Sequence, residues 1–372
     1  MKDKVARSDT GVRAAQLRRK TAMATTFVRV AALLSTIAVG ACATARNDED
    51  LTTIEVVGRM PLAFLDQTRP RWGGGIGTRP INLLVWYPAD NRSEEADWGV
   101  GRPGNLAVRF GHSAEAAPPL QPPLKRPLIV LSHGTGGSAP LLAWLAEPLA
   151  RAGFIVAAIN HHGNTSNERT AEGFALWWER ATDISRTVDF LLEDDEFRAL
   201  IDPSKVGAAG FSLGGYSVLA IAGARTSLAQ FNAFCDSAEG AASCEPPPEF
   251  PQLLTLFDQI RDRPDVAASL SRHADSFRDP RIRAVMALAP FGIMLTPDSL
   301  GEITVPVSIM AGDLDQITPA ATNAKRLASE IPTARLTMLP GVGHLTFGPE
   351  CTSAGAERVP QLCRDGEGVD RK

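Results

Sequence analysis

The sequence has no internal repeat, no basic tract, no Cys-x-x-Cys pair and no histidine cluster of the kind that holds a metal. Without a repeat, stacked-repeat architectures are excluded. Without a basic tract there is no electrostatic footprint for nucleic acid, so a nucleic-acid partner is not expected. Without closely spaced Cys and His ligands no metal site is expected. A long membrane-spanning run is also missing: the strongest apolar stretch, Phe27 to Ala41, is too short for a comfortable span and is interrupted by Arg29. What is present suits a globular protein of one large or two small domains. Of 372 residues, 44% are apolar and 22% charged, enough to build a sizeable core. The 27 prolines and 32 glycines imply many loops, and apolar runs recur along the whole length.

Charge is unevenly spread. The formal net charge is -4, but residues 1–41 hold eight Lys or Arg against two Asp or Glu, a surplus of six, so the remainder stands at -10. A basic amino end followed by a short apolar run reads as a signal peptide. It ends Val39-Gly40-Ala41-Cys42, which resembles the bacterial lipobox and implies lipidation of Cys42. Met23 would begin a signal of ordinary length and is an alternative start. Ala43 after the Cys implies an outer-membrane or periplasmic destination, and residues 42–52 read as a tether. An ordinary secretory signal is the alternative. With Cys42 set aside, four cysteines remain: Cys235, Cys244, Cys351 and Cys363. Four allow three pairings; proximity favours Cys235–Cys244 and Cys351–Cys363, in an oxidising compartment.

Eight short runs rich in Val, Ile and Leu read as strands: Thr53–Val57, Ile81–Tyr87, Pro127–Ser132, Phe154–Ile159, Lys205–Phe211, Ile282–Leu288, Val305–Ala311 and Arg335–Leu339. The later ones are separated by helix-length spans, which predicts an α/β fold: a mostly parallel eight-stranded sheet with helices on both faces. The first two lack an intervening helix and should pair antiparallel. A helix is expected over Ala171–Leu200, followed by a turn at Ile201-Asp202-Pro203-Ser204. Residues 91–126 read as a surface excursion and residues 225–279 as an inserted, lid-like segment within a domain spanning 53–350. Residues 351–372 read as a tail carrying a disulfide.

The chemistry concentrates at four places. Gly210-Phe211-Ser212-Leu213-Gly214-Gly215 fits G-x-S-x-G, with an apolar strand before it and a small-residue helix after it. A nucleophile on such a strained turn needs small neighbours, and the helix amino terminus beneath it favours developing negative charge. Ser132-His133-Gly134-Thr135-Gly136-Gly137 follows another strand; its Thr135 amide, with that of Leu213, is the candidate oxyanion hole. His133 is expected to organise this turn. In Gly312-Asp313-Leu314-Asp315-Gln316-Ile317-Thr318-Pro319 two carboxylates compete for the role of acid. Asp315, three after the glycine and four before the proline, is the candidate, and Asp313 is read as a turn former. His344, in a glycine-rich loop after the last strand, is the candidate base. The order Ser, Asp, His is the one used by the α/β-hydrolase fold. His112 and His273 lie in segments that fit a base poorly, while His161 and His162 are either pocket or loop residues.

Several segments together resemble the dienelactone-hydrolase-like and platelet-activating-factor-acetylhydrolase-like bacterial α/β-hydrolases. They are Val85-Trp86-Tyr87-Pro88, the 132–137 turn, Asn160-His161-His162-Gly163-Asn164-Thr165, Arg180-Ala181-Thr182-Asp183-Ile184 and Gly210 to Tyr216. The resemblance covers roughly residues 53–348 and implies a cofactor-free serine hydrolase of carboxylic esters. It departs from dienelactone hydrolases, which resemble cysteine enzymes, in having Ser212. It departs from the eukaryotic acetylhydrolases in having Ala289-Pro290-Phe291-Gly292, with no carboxylate, where their acid stands. The expected substrate is a small-molecule or lipid ester. Thioester, amide and polyester cleavage remain open, as does a non-catalytic surface lipoprotein; no obligate protein partner is evident.

Overall fold

The computed structural model describes residues 54–121, 124–238, 240, 244–369 and 371. The expected signal, Cys42 and the tether lie outside them. The compact unit runs from Glu55 to Arg371.

Continuous apolar runs become the parallel strands, largely buried except for the last, the half-exposed edge strand Ala334–Leu339. These are β5 (Arg126–Ser132), β6 (Ile155–Asn160), β7 (Ile201–Phe211), β8 (Ile282–Leu288), β9 (Val307–Gly312) and β10 (Ala334–Leu339). They pair in the order β10-β9-β8-β7-β5-β6, all parallel. Strands covered on both faces need no alternation of apolar and polar residues, which is why they read as uninterrupted runs. Two earlier strands, β1 (Val57–Pro70) and β2 (Thr78–Pro88), form the expected antiparallel pair, with β2 antiparallel to β6.

The strand count differs from the expected eight. Among the described residues the sheet has eleven strands, because residues read as a surface excursion form β3 (Ala96–Arg102) and β4 (Asn105–Glu115), and Glu350–Cys351 adds β11 beside β4. These strands at the margin of the sheet carry Gly and many exposed polar side chains, so burial patterning does not announce them. Strand β1 also starts later and runs farther than expected, through half-exposed residues. The expected turn at Ile201–Ser204 lies inside β7, where the pairing with β5 jumps from Ile201 to Val206 and Asp202 accepts from the Ser204 amide.

Helix α1 (Ala143–Arg151) follows β5. The single helix expected over 171–200 is interrupted. It comprises α2 (Ala171–Ala175), α3 (Glu179–Glu193) and a short turn at Phe197–Leu200. The last break is made by Asp194, whose extended backbone and carboxylate accepting from the Glu196 and Phe197 amides start a new turn. Helix α4 (Leu213–Ala222) is buried at every residue. The 225–279 segment carries α5 (Leu228–Cys235), α6 (Leu253–Ile260) and α7 (Pro264–Ser271). Disulfides join Cys235 to Cys244 and Cys351 to Cys363, the pairing that proximity favoured. The second ties the tail to the edge of the sheet at β11.

Candidate active site

The chain leaves β5 toward β6 on one side and β7 toward β10 on the other. The loops at the carboxyl ends of β5 and β7 therefore flank the point where strand order reverses, the usual site of a crevice in such sheets. Ser132–Gly137 follows β5, Ser212 follows β7, Asp315 follows β9 and His344 follows β10.

Ser212 has φ 57° and ψ -118°, a conformation side chains avoid. It persists because its backbone is held on every side. Its amide donates to the Leu288 carbonyl at 2.8 Å, and its carbonyl accepts from Gly215 at 2.8 Å and Phe291 at 3.0 Å. The turn is tight enough that a Cβ on Gly210 would lie 2.1 Å from the Gly214 carbonyl oxygen, and one on Gly214 would lie 1.9 Å from that of Ser132. The same closeness brings the β5 turn to the serine: a Cβ on Gly134 would meet the Ser212 Cβ at 3.1 Å. Leu213 is the first residue of α4, and the first amides of a helix have no partner within it. In the β5 turn, Gly136 donates to Asn164 Oδ1 at 2.8 Å and Gly137 to the Gly134 carbonyl at 3.2 Å; Thr135 lies between these tethered positions.

Asp315 and His344 meet: the imidazole Nδ1 stands 2.8 Å from Asp315 Oδ2, and both side chains are buried. The other carboxylate oxygen accepts from the amides of Ile317 at 3.0 Å and Thr318 at 2.8 Å. Thr318 Oγ1, 2.8 Å from Oδ2 and 3.1 Å from Nδ1, completes the cradle, a role no motif announced. Asp313 does something else. Its carboxylate accepts from the Gly341 amide at 2.7 Å and its own amide donates to the Leu339 carbonyl, so it holds the loop that carries His344. The Phe211 ring, adjacent in sequence to Ser212, lies 4.7 Å from the His344 ring. Beyond the loop, Asp365 accepts from Thr346, a contact no pattern in the sequence indicates.

Three other histidines, His133, His161 and His162, are held in buried hydrogen-bond networks. His133 Nδ1 donates to the Gly134 carbonyl at 2.6 Å and Nε2 accepts from the His161 amide at 3.2 Å, so both ring nitrogens are committed to the turn. Burial and the neighbouring Arg180 charge hold His133 neutral, well below its ordinary pKa. His162 accepts from the Trp72 amide and reaches Glu168 with Nδ1. His161 lies in a second Ser–His–Asp row, with Ser132 Oγ 2.8 Å from Nε2 and Asp183 Oδ2 2.7 Å from Nδ1. This row is fully buried, and Arg180 Nη2 donates to the same Ser132 oxygen at 3.4 Å, so that hydroxyl is a link in a network rather than an open nucleophile. Burial and Arg180 push His161 down to about 4. Burial would raise the Asp183 carboxyl, but Arg69 at 2.5 Å and the bond from His161 outweigh it and leave it low.

The 225–279 segment packs against the same loops. Phe250 meets Phe174 at 5.0 Å, Phe231 meets Trp177 at 4.9 Å, Trp178 donates to Ser269, and the Glu249 side chain lies over Gly136.

A serine at a positive-φ strand–helix turn and a buried Asp–His pair past the following strands, on a mostly parallel sheet covered by helices, define an α/β-hydrolase. A sequence model described as serine aminopeptidase, S33 (Hydrolase_4) matches residues 124–350, and the chain belongs to that family. It is 24% identical over 208 residues to the cutinase est1 of Thermobifida alba, covering 55% of this chain and 48% of that one. It is 22% identical over 208 residues to the cutinase cut1 of Thermobifida fusca, covering 55% and 44%. The chain thus spans about half the length of the curated relatives it matches. Among solved structures, a ferulic acid esterase from Streptomyces cinnamoneus shares the fold, with a TM-score of 0.53, 23% identity and coverage of 81% of this chain and 78% of that one.

Proposed function

We propose that the chain hydrolyses carboxylic esters through an acyl-enzyme formed on Ser212. The observation that carries this reading is the buried Asp315–His344 pair, packed through Phe211 against the strained serine turn. With Nδ1–H donated to Asp315, the His344 lone pair is on Nε2, the tautomer a general base needs. Ser212 Oγ attacks the acyl carbon as its proton passes to His344. The proton then goes to the departing alcohol, and water, activated by the same imidazole, releases the acid and restores Ser212. Asp315 orients the ring and stabilises the imidazolium. The Thr135 and Leu213 amides receive the oxyanion, each donor being worth roughly 3 to 4 kcal/mol of barrier. The cutinase and ferulic acid esterase likenesses support ester chemistry, and the cutinases favour polyester cleavage as the second reading.

The likeness to dienelactone-hydrolase-like and acetylhydrolase-like enzymes belongs to the same proposal. It is supported by the Asn160–Thr165 segment, in which Asn160 and Asn164 accept from amides of the β5 turn. The 225–279 segment is read as a lid because it packs on these loops. The two disulfides fit an oxidising compartment and support export, with Cys42 as the proposed lipid anchor to the cell envelope.

Hydrolysis of p-nitrophenyl acetate and butyrate by wild type and Ser212→Ala tests the chemistry. The variant is expected to lose turnover and fluorophosphonate labelling; equal rates in the two proteins would end the mechanism. An acyl-length series, run with a polyester film, separates the two substrate readings. For the anchor, Cys42→Ser should leave the membrane fraction, and unchanged fractionation refutes lipidation.

A further inference from the structure

Arg180 lies in α3 and is buried, at 2% exposure. Among the described residues it forms no ion pair with a carboxylate, although Asp183 is one turn away, because the Asp183 oxygens are engaged by Arg69 and His161. A buried cation without a carboxylate partner is costly, so what it does contact is informative. Nη2 donates to the His133 carbonyl and, at 3.4 Å, to Ser132 Oγ. Nε donates to Ser217 Oγ at 3.1 Å, and that hydroxyl donates to the Leu213 carbonyl at 3.0 Å. One planar guanidinium therefore bonds the turn two residues before Thr135 directly and, through the Ser217 hydroxyl, the Leu213 carbonyl in the first turn of α4.

We propose that Arg180 is the positioning residue of the oxyanion hole, clamping the β5 turn to the nucleophile helix and so setting the separation of the Thr135 and Leu213 amides. The inference rests on the ester-hydrolase reading and adds to it a group that never touches substrate. The fork geometry is essential. A lysine ammonium is a point charge on a flexible stem and cannot hold two rigid, divergent contacts at once. The rest of the network keeps the clamp in place. Ser132 Oγ, which receives the weaker Arg180 contact, donates onward to His161, and His161 donates to Asp183; each group has its proton directed one way. Burial lowers the hold of Arg180 on its proton, as expected for a cation deep in the fold, and the Asp183 charge opposes that effect.

The test compares wild type, Arg180→Met, Arg180→Lys and Ser217→Ala. Readouts are kcat and KM on p-nitrophenyl butyrate, affinity for a trifluoromethyl ketone that mimics the tetrahedral adduct, and thermal unfolding. Arg180→Met is expected to lower kcat by at least 100-fold with KM within threefold, and to weaken the ketone in proportion. Arg180→Lys should recover less than a tenth of the loss. Ser217→Ala, a small change that leaves the fold intact, should lower kcat about tenfold at constant KM. Variants that unfold earlier but keep wild-type kcat and ketone affinity when folded would make Arg180 a core residue only, and overturn the proposal. If Arg180→Met does not fold, Ser217→Ala decides alone: a kcat within twofold of wild type rejects the clamp. An inactive wild type overturns the ester-hydrolase reading itself, whereas an active wild type with unaffected variants overturns only this inference.

Discussion

Replacing Ser212 by Gly should make the protein more stable while abolishing its proposed chemistry. At φ 57° and ψ -118° a residue with a Cβ is held in a sparsely populated region, at a cost on the order of 1–3 kcal/mol. Glycine adopts such angles freely, but loses about 0.5–1 kcal/mol through the greater freedom of the unfolded chain. The net gain should be about 1 kcal/mol. For a unit running from Glu55 to Arg371, unfolding entropy is about 0.7 kcal/mol/K, so Tm should rise about 1.5 °C. Ser212→Ala is the control, since it loses the same hydroxyl yet keeps a Cβ in the strained conformation. Calorimetry and urea unfolding with the disulfides intact would measure both variants. If Ser212→Gly is no more stable than Ser212→Ala, the turn is not strained and the argument for an elbow that holds its nucleophile under tension fails.

Asp315→Asn should lower kcat by roughly 10^3 to 10^4, because an amide both loses the charge and favours the wrong imidazole tautomer. Asp313→Asn, which keeps an oxygen for the Gly341 amide, should stay within a few-fold of wild type; the opposite ranking would reassign the acid. Gly214→Ala places a Cβ 1.9 Å from the Ser132 carbonyl, backbone against backbone, and should cost several kcal/mol in urea unfolding along with nearly all activity. His161 is held neutral with a pKa pushed down to about 4, so the unfolded chain binds the extra proton first. Stability from this group is complete above pH 6.5 and is lost as pH falls from about 6.5 to 4, by on the order of 3 kcal/mol. Unfolding midpoints between pH 4 and 7 check this, and a His161→Asn variant with the same acid slope would refute the assignment.

Some of these features are legible along the chain because the physics behind them is local. Gly210 to Gly215 had to be read as a turn around Ser212, since the steric demand falls on adjacent residues. The buried parallel strands announce themselves because both faces are covered. The Cys235–Cys244 and Cys351–Cys363 pairings follow from short separations. Other features have no local signature. Strands β3, β4 and β11 form the margin of the sheet, held by backbone pairing to one another rather than by an apolar pattern. Asp313 and Asp315 are chemically alike, and only their spacing from Gly312 and Pro319 singled out Asp315 in the sequence; the partners themselves, Gly341 for one and His344 for the other, are set by the fold. His133 was expected to organise its turn and does so, but only the fold shows that His161, read as a pocket or loop residue, is committed to a buried row with Ser132 and Asp183. Arg180 is the extreme case. Its contacts lie 37 to 48 positions away in sequence, and what it touches depends on the end of β5 and helix α4 meeting beside α3. The sequence by itself determined the strained turn around Ser212 and the α/β class, because close-range sterics and hydrophobic patterning are properties of neighbours. The tertiary structure decided which polar groups surround that turn, because a buried charge or hydrogen bond is defined by whatever the fold brings within about 3 Å of it.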